Sequence, residues 1–134
     1  MNNEQIAASL EEKNIRPSVQ RMAIYKFLAE NPVHPTVDTI YTALSPQMPT
    51  LSRTTVYNTL KQFAERGLVQ TITIEDGELR YDADTSSHIH FKCTECGKIY
   101  DIFKPAGLPA KLLMEGFKAE KIQTNIWGIC KDCS

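Results

Sequence analysis

HIHFKCTECG, residues 88–97, and CKDC, residues 130–133, between them hold all four cysteines of this chain. Cys93 and Cys96 form one C-x-x-C pair, and Cys130 and Cys133 form the other. A C-x-x-C knuckle turns two thiolates toward one ion, and two knuckles complete the tetrahedral four-sulfur shell that Zn²⁺ prefers. Gly97, directly after the first knuckle, suits the tight turn such a loop needs. Two disulfides or one redox-active C-x-x-C are the other options for these residues. A structural zinc is the better reading, because an intracellular chain rarely keeps disulfides and paired knuckles are a specific signal. The 33 residues between Cys96 and Cys130 exceed the usual ribbon spacing, so a small subdomain must be threaded between the knuckles.

The same stretch offers a second kind of ligand. His88 and His90 are two apart, so on a strand they share a face, while Cys93 lies an odd distance from both and points the other way. The pattern predicts two adjacent but separate metal sites. A plainer reading is an exposed polar strand face. The remaining histidine, His34, sits in HPTVD, residues 34–38, where composition alone makes it a helix-entry residue.

Around this stretch the second half reads as a sheet. HIHFKC (88–93), KIYDIF (98–103) and KIQTNIWGIC (121–130) are three expected strands. Pro105 opens a loop, and Leu108, Leu112 and Leu113 mark a short helix closing at Gly116. So small a sheet has little core and needs a staple, which zinc supplies and dimerisation reinforces.

The first half reads as helices followed by a hairpin. Residues 4–13 form a short amphipathic helix broken near Asn14. Pro17-Ser18 opens a second helix to about Ala29, with Val19, Ile24, Phe27 and Leu28 turned inward, and Asn31-Pro32 ends it. Thr36 caps a third helix whose Val37, Ile40, Tyr41 and Leu44 repeat at helical spacing, with Asp38 favouring its positive end. After a loop containing Pro46 and Pro49, Ser52 caps a fourth helix that buries Val56, Leu60 and Phe63 and stops at Gly67. Its solvent side carries Arg53, Thr54, Tyr57, Asn58 and Lys61, a mixture of phosphate-positioning and base-reading groups. LVQTITI (68–74), an Asp76-Gly77 turn and LRYD (79–82) follow as a β-hairpin. Helices followed by a hairpin describe a winged helix-turn-helix, whose last helix enters the major groove. A generic helical domain with a polar face is the alternative that pattern alone leaves open.

Composition excludes little. The chain has 134 residues, a net charge of −1, 42% hydrophobic and 23% charged residues, which are ordinary globular values. No run of 18 apolar residues and no signal-peptide core occurs, so the expectation is a soluble cytoplasmic protein with no membrane partner. The charge is uneven: residues 1–74 hold seven Lys/Arg against six Asp/Glu, whereas 75–84 holds five acids and one Arg.

SRTTVYNTLKQF (52–63), HPTVD (34–38) and HIHFKCTECGKIYD (88–101) together resemble the ferric uptake regulator family of bacterial metal-dependent repressors. The resemblance runs from about residue 10 to 133, with motifs in order in both halves. It implies an α+β chain: a winged-helix DNA-binding domain over 1–82 and an α/β dimerisation and metal-binding domain over 83–134. It also implies a structural zinc on Cys93, Cys96, Cys130 and Cys133, and a regulatory metal whose ligands fall on His34, Asp82, His88, His90 and Asp101. That overturns the helix-entry reading of His34. DNA reading falls on Tyr57 and Asn58, with Lys61 on phosphate and Arg16 at a position where the family places a basic residue in the minor groove. The partners implied are operator DNA and a second copy of the chain, with no small-molecule substrate and no enzymatic activity.

Within the family, the peroxide-sensing branch carries aspartates where iron-sensing members usually carry glutamates, and here both positions, 82 and 101, are Asp. Iron-sensing members often add a histidine before the H-x-H and an acid between its histidines; Ser87 and Ile89 stand there instead. The resemblance therefore favours the peroxide branch over an iron- or other metal-responsive repressor. The donor set agrees with it: imidazoles and carboxylates suit Fe²⁺ or Mn²⁺ better than a thiolate-loving metal. Two other classes compete. A metalloenzyme would need an open substrate pocket and a further general base. A metal-storage or interaction module would leave the Tyr57–Asn58 face without a purpose.

Overall fold

The structure, a computed structural model, describes residues 1–75, 77–86, 88–103, 115–118 and 122–134. The chain divides into two compact units, Met1–Thr85 and Ser86–Ser134. Where the sequence placed a boundary after Asp82, the first unit runs on through Thr85.

In the first unit, helix α1 spans Asn3–Glu12, α2 Val19–Glu30, α3 Val37–Leu44 and α4 Arg53–Glu65. Each is started by a side chain that accepts from an otherwise orphaned backbone N–H: Asn2, Ser18, Thr36 and Ser52. Asn2 and Gln5 complete a reciprocal capping box. A single 3₁₀ turn, Ser45–Gln47, carries Pro46 between α3 and α4. Gly67, at φ 76°, takes the left-handed backbone that ends α4.

One face of every helix meets a common core of Ile6, Leu10, Ile24, Leu28, Ile40, Val56, Leu60 and Phe63, none more than 2% exposed. Tyr25 meets Phe63 edge-on, ring centroids 6.1 Å apart. Val19 is a correction to the sequence reading. It is 79% exposed rather than turned inward. It is the first helical residue, and no preceding turn exists there to carry it onto the packed face. The hairpin of β1 (Gln70–Glu75) and β2 (Glu78–Asp82) closes the unit, with Tyr81 entering the helical core. Asp76, half of the expected turn, lies outside the described residues.

The second unit is built on β3 (Ile89–Cys93), β4 (Ile99–Ile102) and β5 (Thr124–Gly128), in the order β4-β3-β5. β3 pairs antiparallel with β4 and parallel with β5. The first knuckle begins on the last residue of central β3 and leads into β4, and the second follows β5. The helix expected around Leu108, Leu112 and Leu113, with Pro105 before it, lies outside the described residues, as does Lys121.

Candidate metal centres and nucleic-acid interface

The four cysteine sulfurs converge as the spacing predicts, all within 4.8 Å of one another and none in a disulfide. Cys96 Sγ and Cys130 Sγ are 3.9 Å apart, close to the ~3.8 Å edge of a tetrahedron of sulfurs about 2.3 Å from zinc. Backbone and neighbours prepare this shell for anionic sulfur. The Cys93 thiol is held down to about 6 by the backbone N–H of Cys96 and then that of Cys130, each 3.4 Å from its sulfur. The Tyr100 hydroxyl donates to Cys130 and lowers that thiol too. Cys133, bonded to an already favoured Cys130 thiolate, is pushed up to about 12. Four sulfurs so close cannot all ionise without a cation among them, which is the condition a divalent zinc relieves. Sequence reasoning missed Tyr100, whose only signal is its place two residues beyond Lys98 on a strand packed beside the knuckle.

On β3, strand register explains the second cluster. His90 lies directly across from Asp101, and His88, two residues earlier, shares its face. Asp101 Oδ1 is 3.3 Å from His88 Nε2 and 3.6 Å from His90 Nε2, and both imidazoles are buried. The two rings stand 4.5 Å apart, and Phe103 covers His88 at 4.8 Å. The Nδ1 of His88 is 2.8 Å from the Ser86 carbonyl. A carbonyl only accepts, so Nδ1 carries a proton, and the Nε2 atom is left facing the Asp101 carboxylate. A carbonyl that orients the ring through its other nitrogen is the usual partner of a metal-bound imidazole. The donor set fits a borderline-to-hard divalent ion.

The first unit holds the other two expected ligands together. His34 Nε2 lies 3.5 Å from Asp82 Oδ2, and both side chains are almost wholly buried. The other carboxylate oxygen of Asp82 accepts the Asp84 backbone N–H at 2.9 Å, which sets the plane of the group.

On α4, Thr54, Tyr57, Asn58 and Lys61 are exposed, as is Arg16 ahead of α2. Arg53 is exposed as well but is engaged: its Nε donates to Asp38 at 2.9 Å, and its guanidinium stacks 4.3 Å over the Tyr41 ring. No local pattern signals this clamp, since Arg53 lies on α4 and Asp38 and Tyr41 on α3. No helix among the described residues is long and apolar enough to cross a membrane.

The sequence matches the ferric uptake regulator family model over residues 12–126. A peroxide-responsive repressor, PerR, of Staphylococcus aureus is 39% identical over 133 residues, 97% of this chain and 90% of that protein. The solved structure of PerR from Streptococcus pyogenes, described as the basis for peroxide sensing and gene regulation, is 32% identical. It superposes with a TM-score of 0.55 over 98% of this chain and 92% of that one. The Helicobacter pylori ferric uptake regulator Fur, described as having three functional metal binding sites, is similar in fold. Its TM-score is 0.72 at 19% identity, covering 99% of this chain and 94% of that one.

Proposed function

This chain belongs to the ferric uptake regulator family, and on that premise we propose that it is a metal-dependent, DNA-binding repressor that senses peroxide by oxidation of a ligand histidine. Its role is regulatory rather than catalytic, its partners are operator DNA and a second copy of the chain, and its place is the cytoplasm. The winged-helix unit presents α4 to the major groove, with Tyr57 and Asn58 reading bases, Lys61, Arg53 and Thr54 on the backbone, and Arg16 in the minor groove. Cys93, Cys96, Cys130 and Cys133 hold the structural zinc of the sheet unit.

The regulatory metal, Fe²⁺ or Mn²⁺, takes His34 and Asp82 from one unit and His88, His90 and Asp101 from the other. Ligands drawn from both units onto one ion fix a single relative orientation. In a dimer that sets the separation of the two recognition helices, which must match the half-site spacing of the operator. A coupling of about 1–3 kcal/mol between metal and DNA is the usual scale for such linkage.

The observation that carries the peroxide reading is Asp101, one short carboxylate shared by two buried imidazoles, in a chain akin to a peroxide-responsive repressor. A ferrous ion held by these residues would supply reversible one-electron redox chemistry toward peroxide. In the net change one peroxide oxygen is inserted at an imidazole carbon of His34 or His88, and the other leaves as water. The oxidised imidazole is a poor ligand, so the two units are released and DNA affinity falls.

The test runs anaerobically with each metal, pairing DNA-binding titrations with peptide mass spectrometry. The Fe²⁺ form should lose DNA at low peroxide with one oxygen gained on a His34 or His88 peptide, whereas the Mn²⁺ form should bind equally well and resist. Asp101→Glu should keep metal-dependent DNA binding while blunting oxidation. Equal resistance of both forms, with unmodified histidines, would leave an iron- or manganese-responsive repressor.

A further inference from the structure

Three consecutive residues of β2 grip two consecutive residues of the loop ahead of α3. Arg80 Nη1 donates to the His34 carbonyl at 3.0 Å. The Tyr81 backbone N–H donates to the Pro35 carbonyl at 3.1 Å. Asp82 Oδ2 lies 3.5 Å from His34 Nε2. Tyr81 is accounted for by the core and Asp82 by the ligand set; Arg80 is accounted for by neither.

Strand alternation sends Arg80 to the face of the hairpin opposite Tyr81. There its Nε pairs with the Glu75 carboxylate, both side chains being mostly covered, 24% and 20% exposed. The pairing depends on the register of the hairpin. Ile72 faces Arg80 and Glu75 faces Glu78, with an irregularity between them, and a bulge of this kind re-aims side chains. A guanidinium presents its donors in a rigid fork, so anchoring one edge on Glu75 fixes where the other points.

His34 is a residue that needs such holding. Its φ is 58°, in the left-handed region that residues with a Cβ seldom adopt. Such a backbone persists where its surroundings over-determine it, and it is common at functional sites. The carbonyl that Arg80 grips belongs to the residue whose imidazole meets Asp82.

We propose that Arg80 is the positioning residue for His34. Clamped by Glu75, it holds the His34 carbonyl and so aims the imidazole, which makes the wing hairpin part of the metal sensor. This rests on the reading above that His34 is a regulatory ligand.

The test uses the full-length, zinc-loaded protein. It combines Mn²⁺ titration at equilibrium, DNA affinity at saturating Mn²⁺, and the thermal unfolding of the helical unit. Arg80→Met should weaken Mn²⁺ about 10-fold or more, the scale of outer-shell partners. DNA affinity at saturating Mn²⁺ should stay close to the parent's, and unfolding should shift little. Arg80→Lys keeps one donor but not the fork, so it should restore part of the loss. Glu75→Gln should weaken Mn²⁺ less, in the same direction, and the double variant should be no worse than Arg80→Met alone.

Unchanged Mn²⁺ affinity in Arg80→Met overturns the proposal. So does a loss of DNA affinity at saturating Mn²⁺ as large as the loss of metal affinity, which would make Arg80 a DNA residue. If Arg80→Met does not fold, Arg80→Lys and Glu75→Gln decide, and wild-type Mn²⁺ affinity in both overturns it. His34→Ala separates this idea from its premise. Wild-type Mn²⁺ affinity there removes the five-ligand reading, whereas its loss beside an unaffected Arg80→Met removes only the role of Arg80.

Discussion

The two units are stabilised by different physics. Met1–Thr85 buries a contiguous set of aliphatic and aromatic side chains from four helices and a hairpin. Among the described residues of Ser86–Ser134, the buried groups are two cysteines and two histidines, while Phe103, Phe117, Ile122, Ile126, Trp127 and Ile129 are exposed. One unit is held by removing apolar surface from water, the other by ligands around cations and by whatever covers its exposed apolar side chains. A second copy of the chain is the occupant the proposed function names. Stability in the first unit should therefore follow side-chain volume, and in the second the supply of metal.

The strongest way to break this contrast is Cys93→Ser. Its zinc should be lost entirely, with the sheet and self-association following, because metal binding and folding are one event at a structural site. The helical unit should still unfold as a separate transition. Native mass spectrometry and calorimetry check both, and a zinc-loaded dimeric variant would sink the four-cysteine assignment. Acid should act in the same direction, because each thiol must be deprotonated to hold zinc and protons compete for it.

Phe63→Ala should cost about 3–5 kcal/mol through the cavity it leaves, seen only in the unfolding transition of the helical unit. Zinc content should not change; if it did, the units would not be independent in stability. A smaller effect is expected on the α4 surface. Asn58→Ala should relax preference at one base position by about 1–3 kcal/mol. Lys61→Ala should weaken all duplexes alike and reduce the salt slope by about one unit. Identical behaviour of the two on specific and random DNA would mean that α4 does not read bases. The smallest effect belongs to Asp38→Ala. An exposed ion pair contributes at most about 1 kcal/mol, so thermal stability should barely move even though Arg53 is set loose.

Legibility in the sequence followed the range of the interaction. Caps at Thr36 and Ser52, the stripe of Val56, Leu60 and Phe63, and the paired knuckles are local patterns, and the structure repeats them. Val19 misled because periodicity assigns a face even where a helix has no preceding turn. The His90–Asp101 opposition depends on a register set by the knuckle turn, where the Cys93 N–H bonds the Lys98 carbonyl. Knowing the turn would have given it. The His34–Asp82 meeting, the Arg53–Asp38 clamp and the Arg80 grip join residues on separate elements. Only the resemblance to a family reached the first of these from sequence, and nothing reached the other two.

The parallel pairing of β3 with β5 has a kinetic consequence. A parallel partner cannot be reached by a tight turn, so Ile89 must find Thr124 and Cys93 must find Gly128 across the whole intervening segment. Contacts so far apart in sequence raise contact order and slow folding, since the loop entropy is lost before the ladder forms. The cysteine pairs stand at the far end of that ladder, the first beginning at Cys93 in the last rung and the second two residues beyond Gly128. An ion captured early by both pairs would shorten the search to a local zippering of β5 onto β3. Zinc limitation should then show itself first as slow acquisition of the sheet, and of the histidine cluster built on it, while the helical unit folds at its own rate.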